Sequence, residues 1–184
     1  MKILISFPVV IILSVFVTGL KAQDIDLHDY IDKRTDAIFE YVVEWRRHFH
    51  QYLELSNREF ETAKVIEVHL CEMGFDVETG ITHTGVVGVL QGGKPGPVVA
   101  LCADMDALPV EERVDVPFAS IRVSEYMGEE VPVMQACGHD AHMAMMMGVV
   151  QILTELQEEL PGTVKFIFQP AEEGTPPGEM AEQK

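Results

Sequence analysis

Basic residues are scarce in this chain of 184 residues: 13 lysines and arginines stand against 30 aspartates and glutamates, a formal charge of −17. Such a surface repels phosphate backbones, and no basic stripe compensates, so nucleic acid is a poor partner class. Cysteine is scarce too. Cys71, Cys102 and Cys137 are too few, and odd in number, for a disulfide framework. Cys71 and Cys102 are expected either to pair or to be buried as small hydrophobes, leaving Cys137 as the thiol with polar neighbours. There is one tryptophan, no low-complexity stretch and no internal repeat, which removes solenoids and fibrous arrays. A membrane-length apolar run is missing as well, since the longest, residues 3–17, is short for a span.

What is present first is a leader-like start, "MKILISFPVVIILSVFVTGLKAQ". Lys2 precedes the apolar run and Ala22 offers a small residue at a cleavage point, so residues 1–22 read as a secretory signal and the protein as secreted or periplasmic. An uncleaved anchor is the alternative, because Leu20 and Lys21 make an imperfect cleavage site. Removing these residues takes away two lysines and no acids, so the remainder is more acidic still.

Residues 23–184 hold enough apolar sequence for one core. A helical stripe runs through Ile31, Ile38, Tyr41, Val42, Trp45 and Phe49. Ser56 with Glu59 three residues on reads as a capping box for a second helix carrying Phe60, Ala63, Val65, Ile66 and Leu70, which Gly74 ends. Strands are expected at about 86–91 and 97–103, weakly at 131–135, and at 163–169. The 97–103 run is apolar on both faces, as in a central strand covered on both sides. Asp140 can cap a helix after 139 whose first half is apolar nearly all round. Helices and strands in this order predict an α/β layered domain.

Four polar clusters stand at element ends, where α/β sheets gather ligands. In "CADMDALP", Asp104 and Asp106 lie two apart on an extended chain and face the same way; a turn with two solvated acids is the plain alternative. In "ACGHDAH", Cys137 and His139 suit a borderline metal such as Zn²⁺, with Asp140 or His142 behind them. A Cys nucleophile with a His base and an inert turn both remain open there. In "QPAEEG", a turn after Pro170 would let Glu172 and Glu173 face one cavity, one as ligand and one as base, although a surface acid pair is the commoner meaning. In "RRHFHQYLELSNRE", Arg46, Arg47, His50, Glu54 and Glu59 read as braces. Together a thiolate, an imidazole and several carboxylates fit metal-assisted hydrolysis.

The motifs "RRHFHQYLELSNREFETA", "TGVVGVL", "ALCADMDALPVEE", "VMQACGHDAHMAMMMG" and "GTVKFIFQPAEEG", in this order, resemble the N-terminal part of the M20 metallopeptidases. The closest branch is that of the amidohydrolases, with hippurate hydrolases, N-acyl-amino-acid deacylases and plant auxin-conjugate hydrolases. The resemblance implies a three-layer zinc-exopeptidase-like α/β domain and two divalent ions, Zn or Mn, with Co acceptable. It implies Cys137, His139 and Glu173 as metal ligands, Glu172 as general base and Asp106 as the acid that holds the site. Asp104 stands where other branches carry a ligand His, and neither it nor His142 receives a role. The implied substrate is an N-acyl amino acid or small peptide, with no stable membrane anchor and a homodimer for the full-length enzyme.

Three departures from the family pattern are visible: Leu53 for a Pro, Cys102 for an Arg and Gln135 for a His. Residues 23–184 are expected to be a fragment without the family's dimerisation domain, return segment and later His ligands. Alternatives are a dipeptidase or carboxypeptidase of the same family, a cysteine hydrolase, and an inactive or binding-only fragment.

Overall fold

The computed structural model describes residues 26–175, so the leader at 1–22 lies outside the described residues. Helix α1, Leu27–Tyr52, starts where the Asp26 carboxylate accepts the N–H groups of His28 and Asp29. It buries Ile38, Phe49 and His50, and half-buries Val42 and Trp45. Two members of the expected stripe are corrected: Tyr41 is 62% exposed and Ile31 37%. At 100° per residue Tyr41 falls at the margin of the stripe, outside the seam that Ile38 and Val42 make with Ile152 and Leu156.

In helix α2, Phe60–Glu72, the N-cap residue Glu59 makes no side-chain cap bond, so the capping box of Ser56 and Glu59 is not formed. Both side chains turn toward the end of the sheet instead. The orphan N–H of Thr62 goes to the Glu54 carboxylate at 2.9 Å, and its hydroxyl to the same oxygen at 3.1 Å. Met73 closes the helix, and Gly74 follows it at φ +84°, as expected of the residue after a cap.

Four strands form one mixed sheet: β1 (Asp76–Ile81), β2 (Gly85–Gln91), β3 (Lys94–Asp104) and β6 (Pro161–Gln169), in the order β1-β2-β6-β3. The pairs β1–β2 and β2–β6 are antiparallel, and β3 runs parallel to β6, with Asp104 opposite Gln169 at their shared carboxyl end. Strand β1, which the sequence pattern did not single out, is polar and mostly exposed. β4 (Val123–Tyr126) and β5 (Glu129–Pro132) make a separate hairpin, so the weak strand expected at 131–135 ends at Pro132.

Among the described residues, 97–103 is not the covered central strand that its apolar faces predict. β3 is an edge among the described residues, with Val98 63% and Val99 49% exposed. The cause is the placement of the helices. Val86 and Leu90 of β2, and Phe166 and Phe168 of β6, join one core with Phe49, Ile66, Leu70, Met143 and Met147 of the helices. The opposite face, with Val89 37% exposed, carries no helix among the described residues. The described part is therefore a sheet and one helical layer.

Helix α3, His139–Glu155, links β5 to β6 and packs on α1 as well as on the sheet. Gly148 permits the approach to α1, because a Cβ there would lie 2.9 Å from the Val42 side chain. Its cap is Gly138, not Asp140, which sits in the first turn and turns its carboxylate to Arg46 at 2.8 Å and His50 at 2.9 Å. None of the described helices is long and apolar enough to cross a membrane.

Candidate metal centre

The carboxyl ends of β3 and β6 and the start of α3 meet at His139, whose side chain is 4% exposed. Nδ1 of this ring lies 2.8 Å from the main-chain carbonyl of Asp106. A carbonyl can only accept, so Nδ1 carries a proton, and in the neutral ring Nε2 presents its lone pair. Around Nε2 stand the carboxylates of Glu172 at 3.7 Å, Asp104 at 4.0 Å and Glu173 at 4.0 Å. Asp104 and Asp106 both face His139, from opposite ring nitrogens, with Asp106 Oδ1 3.4 Å from Nδ1.

Asp106 is fully buried and organises the surroundings. Its Oδ2 accepts the Ser56 hydroxyl at 2.6 Å and the Glu173 N–H at 2.9 Å. Glu59, also fully buried, accepts the Thr84 hydroxyl at 2.7 Å and the Ala171 N–H at 2.9 Å. Between those anchors Ala171 takes φ +54°. This left-handed residue makes the turn after Pro170 that brings Glu172 and Glu173 to the same side. Burial pushes the Glu59 carboxyl above its ordinary value.

Cys137, His139 and Glu173 place one donor atom each within 4.8 Å of one another, and Asp104, His139 and Glu172 do the same. The predicted residues Cys137, His139, Glu172, Glu173 and Asp106 are thus brought together, and Asp104, which had no role, joins them. His142 stays at the rim, 57% exposed, with Nδ1 3.9 Å from Asp104.

The donor set fits a divalent cation. Nε2–carboxylate separations of 3.7–4.0 Å are too long for hydrogen bonds. They are close to the roughly 3.4 Å that separates two ligands of one tetrahedral ion with bonds of about 2.1 Å. Glu173 Oε1 and Asp106 Oδ1 are buried without a hydrogen-bond partner, a costly state that a cation at Glu173 would relieve. One thiol, one imidazole and oxygen donors suit Zn²⁺ or Mn²⁺.

All three cysteines are free and exposed, so Cys71 and Cys102 are neither paired nor buried. The Glu173 carboxylate beside Cys137 raises its thiol above the ordinary value. That is the opposite of what an activated nucleophile needs.

The expected braces do brace, though not by pairing with one another. His50 spans Asp140 at 2.9 Å and Glu112 at 2.7 Å, and Arg46 and Arg47 lie over the Phe118 ring. Sequence reasoning missed the contacts of Ser56 and Glu59 with the site. A capping box and a pair of site anchors use the same letters, and only the fold distinguishes them.

Residues 100–183 match the family described as Peptidase family M20/M25/M40. A thermostable carboxypeptidase of Saccharolobus solfataricus is 42% identical over 149 residues, 80% of this chain and 36% of that one. An N-acyl-L-amino acid amidohydrolase of Geobacillus stearothermophilus is 40% identical over 148 residues, 80% of this chain and 38% of that one. Among solved structures, a Bacillus subtilis protein described as a dinuclear metal-binding peptidase from the M20 family superposes with a TM-score of 0.67 at 40% identity, over 75% of this chain and 36% of that one. The chain thus spans little more than a third of the length of these relatives.

Proposed function

We propose that the chain, whose residues 100–183 match peptidase family M20/M25/M40, supplies one wall of a metal-dependent amidohydrolase site cleaving the amide bond of N-acyl amino acids or small peptide conjugates. The observation that carries this reading is the convergence of Asp104, Glu172 and Glu173 on the lone-pair nitrogen of His139, with Cys137 in the same cluster. Cys137, His139 and Glu173 would hold one ion, and Asp104 would reach a second, with Glu172 beside them. Bound divalent ions would supply Lewis acidity and lower the pKa of water at the site.

The two glutamates differ in a way that suits two roles. Glu173 is 20% exposed with a buried unpartnered oxygen, as befits a ligand, whereas Glu172 is 45% exposed and faces the open side. Glu172 takes a proton from the attacking water and returns it to the leaving amine. Asp106 touches no substrate; it fixes the Glu173 main chain and, through its own carbonyl, the His139 ring.

A carboxypeptidase of the same family is the second reading, favoured by the Saccharolobus relative. A panel of N-acyl amino acids against peptides with free carboxyl ends separates the two. Export follows from the leader-like residues and belongs to the same proposal. The test of the chemistry is Glu172→Gln in the full-length enzyme. The expected result is loss of turnover with metal content unchanged; loss of metal would exchange the roles of Glu172 and Glu173.

A further inference from the structure

Gln135 is 5% exposed beside the candidate metal centre and takes no part in the chemistry above. Its amide nitrogen donates to the Asp106 carbonyl at 3.2 Å, and its amide oxygen accepts the N–H groups of Cys137 at 2.8 Å and Gly138 at 2.9 Å. The Asp106 carbonyl is the same atom that receives Nδ1–H of His139. One side-chain amide thus ties the peptide that carries the thiol to the carbonyl that orients the imidazole.

Packing does not hold this turn. Cys137 is exposed, and Gly138, at φ +98°, has nothing within 4 Å of where a Cβ would stand. Cys137 lies ahead of α3 and outside any strand; the Gly138 carbonyl is held by the first turn of α3, and the two N–H bonds to Gln135 fix the N–H side of the turn. The amide is suited to the place, because its oxygen serves two donors while its nitrogen serves an acceptor on the far side.

We propose that Gln135 is a positioning residue that aligns the Cys137 thiol and the His139 imidazole on one divalent cation. This rests on the metal-site reading and adds to it the element that sets the angle between the two ligands. Glutamate at this position keeps both bonds to the N–H groups and loses the bond to the Asp106 carbonyl; leucine loses all three.

The test is a Co²⁺ titration of the chain and its Gln135→Leu and Gln135→Glu variants, followed by the near-ultraviolet thiolate-to-cobalt charge-transfer band. Amide hydrogen exchange at Cys137 and Gly138 is measured alongside, without metal. Q135L is expected to lose roughly 10- to 100-fold in Co²⁺ affinity, with less thiolate band per bound ion and faster exchange at both amides. Q135E is expected to keep the amide protection and lose less affinity. If Q135L does not fold, Q135E decides alone: a band and affinity equal to wild type, with protected amides, leaves the carbonyl link idle and overturns the proposal. Unchanged exchange and unchanged band in folded Q135L also overturn it, while the wild-type titration still upholds the metal site. A wild-type chain that takes up no Co²⁺ with a thiolate band removes the metal-site reading itself, and the proposal with it.

Discussion

The Glu59 carboxylate holds the main-chain N–H of Ala171 at 2.9 Å, across 112 residues of chain. This bond joins the start of α2 to the turn that presents Glu172 and Glu173, and the Thr84 hydroxyl satisfies the other carboxylate oxygen. Glu59→Ala would leave the buried Thr84 hydroxyl and the half-buried Ala171 N–H without their acceptor. Each such loss costs about 1–3 kcal/mol, so a destabilisation of roughly 2–5 kcal/mol is expected in urea unfolding. Glu59→Gln keeps an acceptor for Ala171 and is expected to cost less. Burial raises the folded carboxyl above its unfolded value, so this group favours the fold at low pH and loses that contribution as pH rises through the folded value. E59Q should therefore gain on wild type as pH is raised from 4 to 7; a gap independent of pH would refute this.

His69 behaves in the opposite sense. Its Nε2 is buried without a partner, its ring stands edge-on to Trp45 at 5.2 Å, and burial lowers its pKa. With the folded value depressed, its contribution is intact above the unfolded histidine value and is lost as pH falls below it. Melting curves between pH 7.5 and 5.5 should show this loss, and His69→Phe should show less of it. His48, lowered by burial and then by Arg122, adds to the wild-type slope, so the difference between the two proteins is the quantity to compare.

His139 is the one residue common to both donor triads. Its Nε2 has one lone pair and can serve one ion, so His139→Ala is expected to weaken the position shared with Cys137 and Glu173 in a Zn²⁺ or Mn²⁺ titration. Cys137→Ser should weaken that same position, and Asp104→Asn the second one. Equal loss of both ions in all three variants would show that the two triads are a single site.

The strands β2 and β6 were legible because β-branched and aromatic runs there sit between glycine and proline turns. The meeting of Cys137, His139, Glu172 and Glu173 was legible because each falls at the end of a strand or the start of a helix. What was not legible depends on neighbours distant in sequence. "PVVALCA" has the same letters in a covered central strand and in the exposed edge that β3 forms here. Asp140 has the composition of a cap, yet it sits inside the first turn, where one carboxylate oxygen takes the Ala141 N–H and the other takes Arg46 and His50. Ser56 could be read only with Asp106 beside it, fifty residues later.

The partner that sets the His139 tautomer is a main-chain oxygen. Every amino acid at position 106 carries that oxygen, so the ring keeps its proton on Nδ1 whatever side chain is written there. The acids around Nε2 have no such protection. Random mutation of this centre should therefore damage the charge that holds a cation long before it disturbs the nitrogen that faces it, and drifted copies of the site should keep a well-oriented histidine after their metal is gone.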